Sequence, residues 1–241
     1  MNKKEKLNKI KEFVLNLLFP KFCLGCKKEG EYLCQDCKAV LEISEYQYCL
    51  CKNSKRVIEI GKCQKCQTKK LNGLYFATDY QSSLIKELIK KFKYEPFAKE
   101  IAKDLACLIL DHFLLIEKSP QKDFADFLVA PVPLEKSREK WRGFNQAEEI
   151  GKELSKYLKI PQISDILIKI KKTLPQVKLS QEQREKNVKE VFWIKNREFL
   201  KGKKILLIDD VYTTGSTMEE CARVLKKAGA KEVWGVVVAR E

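Results

Sequence analysis

Eight clustered cysteines and one pair of adjacent aspartates are the residues of this 241-residue chain whose types and spacing carry chemistry. Cys23, Cys26, Cys34 and Cys37 read as C-x2-C, seven residues, then C-x2-C. A C-x-x-C turn brings two thiolates to one metal, and a second such turn completes the tetrahedron that zinc accepts. Cys49, Cys51, Cys63 and Cys66 read as C-x-C, eleven residues, then C-x2-C, so their first clip is one residue tighter than the usual knuckle. Sequential pairing gives two four-thiolate zinc sites. Spacing alone also permits an interleaved pairing, and an iron–sulfur cluster uses the same donors. Four thiolates leave no open coordination position, so both sites read as structural, supplying folding energy to a segment too short to bury its own core. Cys107 and Cys221 lie in apolar helical contexts and read as buried side chains.

The second constellation is Ile205-Leu-Leu-Ile-Asp-Asp-Val-Tyr-Thr-Thr-Gly-Ser-Thr217. A continuous apolar strand ends in Asp209 and Asp210, and a short loop then leads into a helix. The carboxyl end of a parallel strand is where α/β sheets bind ligands. Backbone N–H groups, hydroxyls and a helix N-terminus across Thr213, Thr214, Gly215, Ser216 and Thr217 cradle a phosphate dianion. Gly215 allows the backbone a close approach. Adjacent carboxylates beside such a cradle need hydroxyls or a metal to hold, and a ribose diol fits. The blander reading, an Asp-rich turn that caps a helix, does not account for both acids together with the loop composition. No G-K-[ST] is present, so the loop is not a Walker A loop. His112 is the sole histidine and reads as structural or solvent-facing, so no His-based triad is available without it.

The elements that must position these residues alternate from about Gly73 onward. Strands read over 74–78, 126–130, 166–170, 205–208 and 233–239; helices read over 84–92, 97–113, 144–158 and about 215–228. Strands separated by helices of this length imply a parallel α/β sheet. Between Lys169 and Lys189 seven basic residues stand against Glu182 and Glu185, either a basic flap over an anionic ligand or a solvated surface loop.

Lys+Arg number 48 against 33 Asp+Glu, a formal charge of +15 that points to anionic partners. Residues 1–72 alone hold 16 Lys+Arg against 8 Asp+Glu, with Tyr32, Tyr46 and Tyr48 available for stacking. An apolar content of 44% argues against wholesale disorder. No apolar run approaches the roughly 18 residues of a transmembrane helix. At the amino terminus, Leu7, Ile10, Phe13, Val14, Leu17 and Leu18 fall at helical spacing with lysines opposite, and no small-residue cleavage site follows. An amphipathic helix over 1–20 is therefore preferred to a signal peptide, with membrane-surface contact as the minor alternative. Paired C-x-x-C units fit metal binding in a reducing cytoplasm better than a disulfide framework.

Taken together these motifs resemble the ComF (competence protein F) family. The 205–217 segment resembles the phosphoribosyl-pyrophosphate (PRPP) signature of type I phosphoribosyltransferases. The resemblance also includes the double cysteine head, Lys93-Tyr94, Ala130-Pro-Val-Pro-Leu134, Arg142-Gly-Phe-Asn-Gln146, Thr173-Leu-Pro-Gln176 with Leu179-Ser180, Arg184 and Asn187. One departure is the C-x-C at 49–51, where family members usually show C-x2-C. The implied architecture is an N-terminal helix (1–20), a double zinc ribbon (21–72) and a type I phosphoribosyltransferase-like parallel sheet flanked by helices (73–241).

The resemblance implies that Asp209 and Asp210 hold the ribose 2- and 3-hydroxyls and that Thr213–Thr217 hold the 5-phosphate. Pro131, Val132, Pro133, Arg138, Arg142, Lys172 and Arg184 would face the pyrophosphate, with Mg²⁺ bridging pyrophosphate and ribose oxygens. Arg142 and Asn145 are expected near the ligand. The implied role is in natural transformation, in DNA uptake and the handling of single-stranded DNA with competence helicase-type partners. The alternative is an active phosphoribosyltransferase of nucleotide salvage or purine metabolism. Neither the acceptor nor the oligomeric state is legible.

Overall fold

The computed structural model describes residues 20–51, 55–57, 61–95, 98–171, 188 and 190–241. The helix expected over 1–20 lies outside these residues but for Pro20, and so do Lys172, Arg184 and most of the expected basic flap. The chain divides into two compact units, one ending at Leu41 and the other running Glu42–Glu241. The first holds the quartet Cys23, Cys26, Cys34 and Cys37 and a one-and-a-half-turn helix, α1 (Gln35–Ala39). Its turns need left-handed backbone at Lys27 (φ 64°) and Gly30 (φ 121°), which tightens the first knuckle.

In the second unit, β1 (Gly73–Asp79) is followed by α2 (Ser83–Tyr94) and α3 (Ile101–Leu115). Ser82 caps α2, accepting from the Ile85 N–H, and Ile85, Leu88, Ile89 and Phe92 bury one face at the i, i+3, i+4, i+7 spacing. Helix α3 is apolar nearly all round, and nine of its residues are buried. A short α4 (Pro120–Asp123) leads to β2 (Phe127–Pro131), then α5 (Lys136–Arg142) and α6 (Gln146–Leu158). A hairpin of β3 (Leu167–Lys169) and β4 (Phe192–Ile194) precedes β5 (Lys204–Tyr212), α7 (Ser216–Lys227) and β6 (Glu232–Arg240).

The main sheet has the order β1-β6-β5-β2, and every pair in it is parallel. Ile205, Leu206, Leu207 and Ile208 of β5 are all fully buried, so both faces of this central strand are covered. That is why the segment reads as an unbroken apolar run rather than an alternation. With β2 and β6 on either side, the β5 carboxyl end opens at the middle of the sheet, between Val132 and Arg240.

Four sequence expectations need correction. The 166–170 strand is not part of the main sheet: β3 pairs antiparallel with β4 in a separate two-stranded sheet. Residues at the start of the expected 97–113 helix form a 3-10 turn at Ala98–Glu100 before α3 begins. The expected 144–158 helix begins at Gln146, and a separate helix not foreseen in the sequence, α5, ends at Arg142. Gly143 takes φ 84° as the left-handed C-cap of α5, and Asn145 then caps α6, its Oδ1 accepting from the Ala147 N–H. Cys107 is half-buried rather than buried, while Cys221 is fully enclosed. Among the described residues no helix is long and apolar enough to cross a membrane.

Candidate functional site

The two cysteine groups form as the sequential pairing expected. In each quartet the four Sγ atoms lie within 4.8 Å of one another. The Cys34 and Cys37 N–H groups point at Cys23 Sγ and Cys34 Sγ, each at 3.4 Å, and the Lys55 N–H points at Cys49 Sγ at 3.3 Å. Amide donors aimed at sulfur favour thiolate over thiol, and four convergent sulfurs suit a tetrahedral soft ion. Both donor sets therefore fit zinc. The tighter C-x-C clip converges as well as the ordinary one, with Cys51 Sγ 3.2 Å from Cys63 Sγ and 3.1 Å from Cys66 Sγ.

A cleft of about 660 Å³ lies at the carboxyl end of β5. Its floor is Asp209 and Asp210, and its walls include Lys93 and Tyr94 from α2, Val132 and Pro133 after β2, and Arg138, Trp141 and Arg142 from α5. Beside it, a recess of about 40 Å³ is lined by the loop from Val211 to Met218 together with Asp209. Asp209, Val211, Thr213 and Thr217 line both, so the cradle and the carboxylate cleft are continuous.

The cradle depends on one glycine. Gly215 has φ 75°, and a Cβ there would lie 2.2 Å from Tyr212 Oη and 2.3 Å from its Cζ. The Tyr212 ring thus packs directly under the loop backbone, and only glycine meets both the left-handed conformation and the space. Across the turn the Thr214 and Ser216 hydroxyls sit 2.8 Å apart, and Ser216 opens α7.

Electrostatics of the floor are set first by burial and then by the proximity of the two acids. Asp210 is buried, and the Lys93 Nζ donates to its Oδ1 at 2.8 Å. Burial, and next the charge of Asp210, push the Asp209 pKa up to about 7, while the Asp210 N–H and the more distant Lys93 and Lys169 pull it down. The Asp210 N–H donates to Asp209 Oδ1 at 2.9 Å. Burial works against the Lys93 charge, but the adjacent Asp210 outweighs it and its pKa is raised. Lys169, which also lines the cleft, goes the other way: burial first and then Arg138 hold its pKa below the usual lysine range.

Of the sequence-predicted residues, Asp209, Asp210 and Thr213–Thr217 come together as expected. Val132, Pro133, Arg138 and Arg142 line the cleft, whereas Pro131 is a buried strand residue opposite Ile208 and does not line it. Arg142 donates to Gln146 Oε1 at 2.7 Å, with its guanidinium carbon 5.2 Å from the Tyr94 ring centroid. Asn145 reaches the cleft, but its side chain is occupied in holding backbone: Nδ2 donates to the Val132 carbonyl at 3.0 Å and Oδ1 caps α6. Sequence reasoning gave no role to Lys93, 117 residues before its partner Asp210. The available signals were its position beside Tyr94 at the end of an amphipathic helix and the place of Lys93-Tyr94 in the family resemblance. Trp141, 69% exposed and edge-on to Tyr94, was likewise missed. His112 proves structural: it is buried, its Nδ1 meets the Ser44 carbonyl at 2.6 Å, and burial lowers its pKa to about 4.

Two outcomes follow from this geometry. Gly215→Ala forces the loop off Tyr212 or out of its left-handed turn, so affinity for inorganic phosphate or a sugar phosphate falls at least about tenfold, ~1.4 kcal/mol, by calorimetry. For Asp209 the folded pKa near 7 lies above the unfolded value of 3.8, so the folded state binds the proton more tightly. Its contribution to the stability of the unliganded protein therefore falls as pH rises from about 4 to 7. Asp209→Asn removes that loss, and its advantage over wild type in urea midpoint is larger at pH 8 than at pH 5.

The phosphoribosyl transferase domain family matches residues 144–241, which include β5, the cradle and α7. Competence protein F of Haemophilus influenzae is 39% identical over 115 residues, 46% of this chain and 50% of that protein. The DNA utilization protein YhgH of Escherichia coli (strain K12) is 32% identical over 163 residues, 67% of this chain and 70% of that protein. Competence protein ComFC of Bacillus subtilis (strain 168) is 35% identical over 104 residues, covering 43% of this chain and 40% of that protein. The chain spans about half the length of the Haemophilus relative. With a phosphoribosyltransferase-type sheet, two four-cysteine clusters and these relatives, the chain belongs to the ComF (competence protein F) family.

Proposed function

We propose that the 42–241 unit binds PRPP or a closely related phosphoribosyl ligand with Mg²⁺, within a protein that handles single-stranded DNA. The observation that carries this reading is the continuity of the two-carboxylate floor with the glycine-dependent cradle at the end of one buried strand. Asp209 and Asp210 accept from the ribose 2- and 3-hydroxyls. Lys93 holds the Asp210 carboxylate in place for that task. The amides and hydroxyls of Thr213, Thr214, Gly215, Ser216 and Thr217 take the 5-phosphate, with the α7 N-terminus behind them. Val132, Pro133, Arg138 and Arg142 face the pyrophosphate, and Lys172 and Arg184 are assigned to the same end. Mg²⁺ would be held beside Asp209 and Asp210 together with the bound ligand, and would supply neutralisation of charge on the leaving group.

The chemistry suited to such a cleft is displacement at the ribose C1. The bond from C1 to the pyrophosphate oxygen breaks with its electron pair leaving on pyrophosphate, and a bond from C1 to the acceptor forms through an oxocarbenium-like state. The chain contributes positioning and electrostatics more than proton transfer. By role the chain divides into an amino-terminal segment (1–20), a cysteine-rich head (21–72) that includes both zinc sites, and the transferase-type remainder (73–241). Paired thiol clips need a reducing compartment, so the protein is assigned to the cytoplasm.

The DNA-linked part of the reading rests on what the relatives are called, competence and DNA utilization proteins, and on the formal charge of +15. Those relatives favour it over a salvage enzyme. Competence helicase-type proteins are the partners it implies.

Calorimetry with PRPP and Mg²⁺ should give a single site per chain. Asp210→Asn, assayed below its thermal midpoint, which should fall because Lys93 loses its carboxylate partner, should weaken it by about ten- to a hundredfold, the loss of a hydrogen bond to a charged group. Absence of binding by wild type overturns the phosphoribosyl reading. In mobility-shift titrations, single-stranded DNA affinity should fall as salt rises, with a slope of about −0.7 per phosphate contact. An affinity flat with salt removes the DNA assignment.

A further inference from the structure

The second cysteine quartet lies in the same compact unit as the phosphate cradle, and two separate side chains bridge them. The first is Arg240, at the end of β6 and only 7% exposed. Its Nη1 donates to the Cys49 carbonyl at 2.7 Å, and its Nη2 donates to the Cys51 carbonyl. One guanidinium takes both carbonyls because a single residue separates the two ligands, so the unusual C-x-C clip has a geometric use. A buried guanidinium needs such partners to offset its lost hydration. It also lies 5.5 Å from the Tyr212 ring centroid and 5.6 Å from that of Phe76. Tyr212 is the β5 residue paired with Arg240, and its ring is the surface on which Gly215 rests.

The second bridge starts at the other end of the quartet. Downstream of Cys66, the Lys69 N–H donates to the Cys66 carbonyl at 3.0 Å, and the next amide, Lys70 N–H, donates to Glu219 Oε2 at 2.7 Å. Glu219 stands in the first turn of α7, and its own N–H donates to the Gly215 carbonyl at 2.9 Å. Cys66, Tyr212 and Met218 share one buried cluster, with Cys51 and Cys63 packed against it. Both ends of the metal clip therefore lead to the same glycine. The first quartet belongs to the other unit.

We propose that Arg240 and Glu219 are positioning residues that couple metal held by Cys49, Cys51, Cys63 and Cys66 to the order of the 213–217 loop, so that metal occupancy sets the hold of the cradle on phosphate. For its ligand the inference rests on the cradle reading above; for the coupling itself it does not. Coupling of this kind is reciprocal: ligand in the cradle retains the metal by the same factor that metal retains ligand.

The experiment uses the full chain loaded with zinc, with the first quartet left intact as an internal reference. Hydrogen exchange of the 213–217 amides is followed before and after a chelator strips the second quartet, with α3 amides as the control for global opening. The expected result is about tenfold faster exchange in the loop on stripping, with α3 unchanged. In Arg240→Lys and Glu219→Gln the loop should already exchange faster with metal bound, and stripping should add little. Ribose 5-phosphate should slow zinc release from the second quartet, and not the first, in wild type alone. Loop exchange indifferent to stripping, or loop and α3 rising together, overturns the coupling whether or not ribose 5-phosphate binds. Failure of the loaded protein to bind ribose 5-phosphate overturns the phosphoribosyl reading alone.

Discussion

Two carboxylates side by side at the end of a buried strand repel each other, and the arrangement of the cleft follows from how that repulsion is contained. Asp210 is buried and accepts from the Lys93 ammonium at 2.8 Å. Asp209 accepts from the Asp210 amide at 2.9 Å, and burial first and the charge of Asp210 next raise its pKa to about 7. The result is a pair of acids in unlike surroundings. Such a floor gains most from a ligand that brings hydroxyl donors or a cation to it. The Thr213–Thr217 loop is displaced along the chain from both acids.

That displacement is possible because β5 runs straight into α7. The strand delivers the acids, the backbone turns left-handed at Gly215 five residues after Asp210, and the helix begins at Ser216 beside the recess. Tyr212 fixes the turn from below, and Arg240 fixes Tyr212 from the side. The cleft is thus held from several parts of the chain: α2 through Lys93, the β2–α5 connection through Val132, and β6 through Arg240. Asn145 shows how economical this is, since one amide side chain both caps α6 and holds the Val132 carbonyl at the cleft wall.

The cysteine quartets divide the labour differently. The first organises the small unit that ends at Leu41. The second is packed into the main core beside Leu50, Leu71 and Met218. A four-thiolate site there costs the core little apolar volume and closes a loop whose ends are 17 residues apart, the kind of constraint that stabilises by removing freedom from the unfolded chain. Lodging it beside Tyr212 gives the phosphate turn a rigid neighbour.

Local pattern was sufficient wherever the physics was local. Cysteine spacing marked both four-cysteine groups, the apolar run at 205–208 marked a doubly covered strand, and Asp-Asp followed by Thr-Thr-Gly-Ser marked residues that line one cleft and its adjoining recess, because each depends on residues a few positions apart. Tertiary structure decided what depends on distant segments meeting: Lys93 reaching Asp210, Arg240 gripping the C-x-C clip, and β3 leaving the main sheet to pair with β4. The turn at Gly143 was visible as a glycine, but whether a helix ended or began there depended on Asn145 finding the Val132 carbonyl. A sequence prescribes torsion preferences and side-chain chemistry along the chain; which charge meets which across the sheet is settled only when burial forces those groups to find partners.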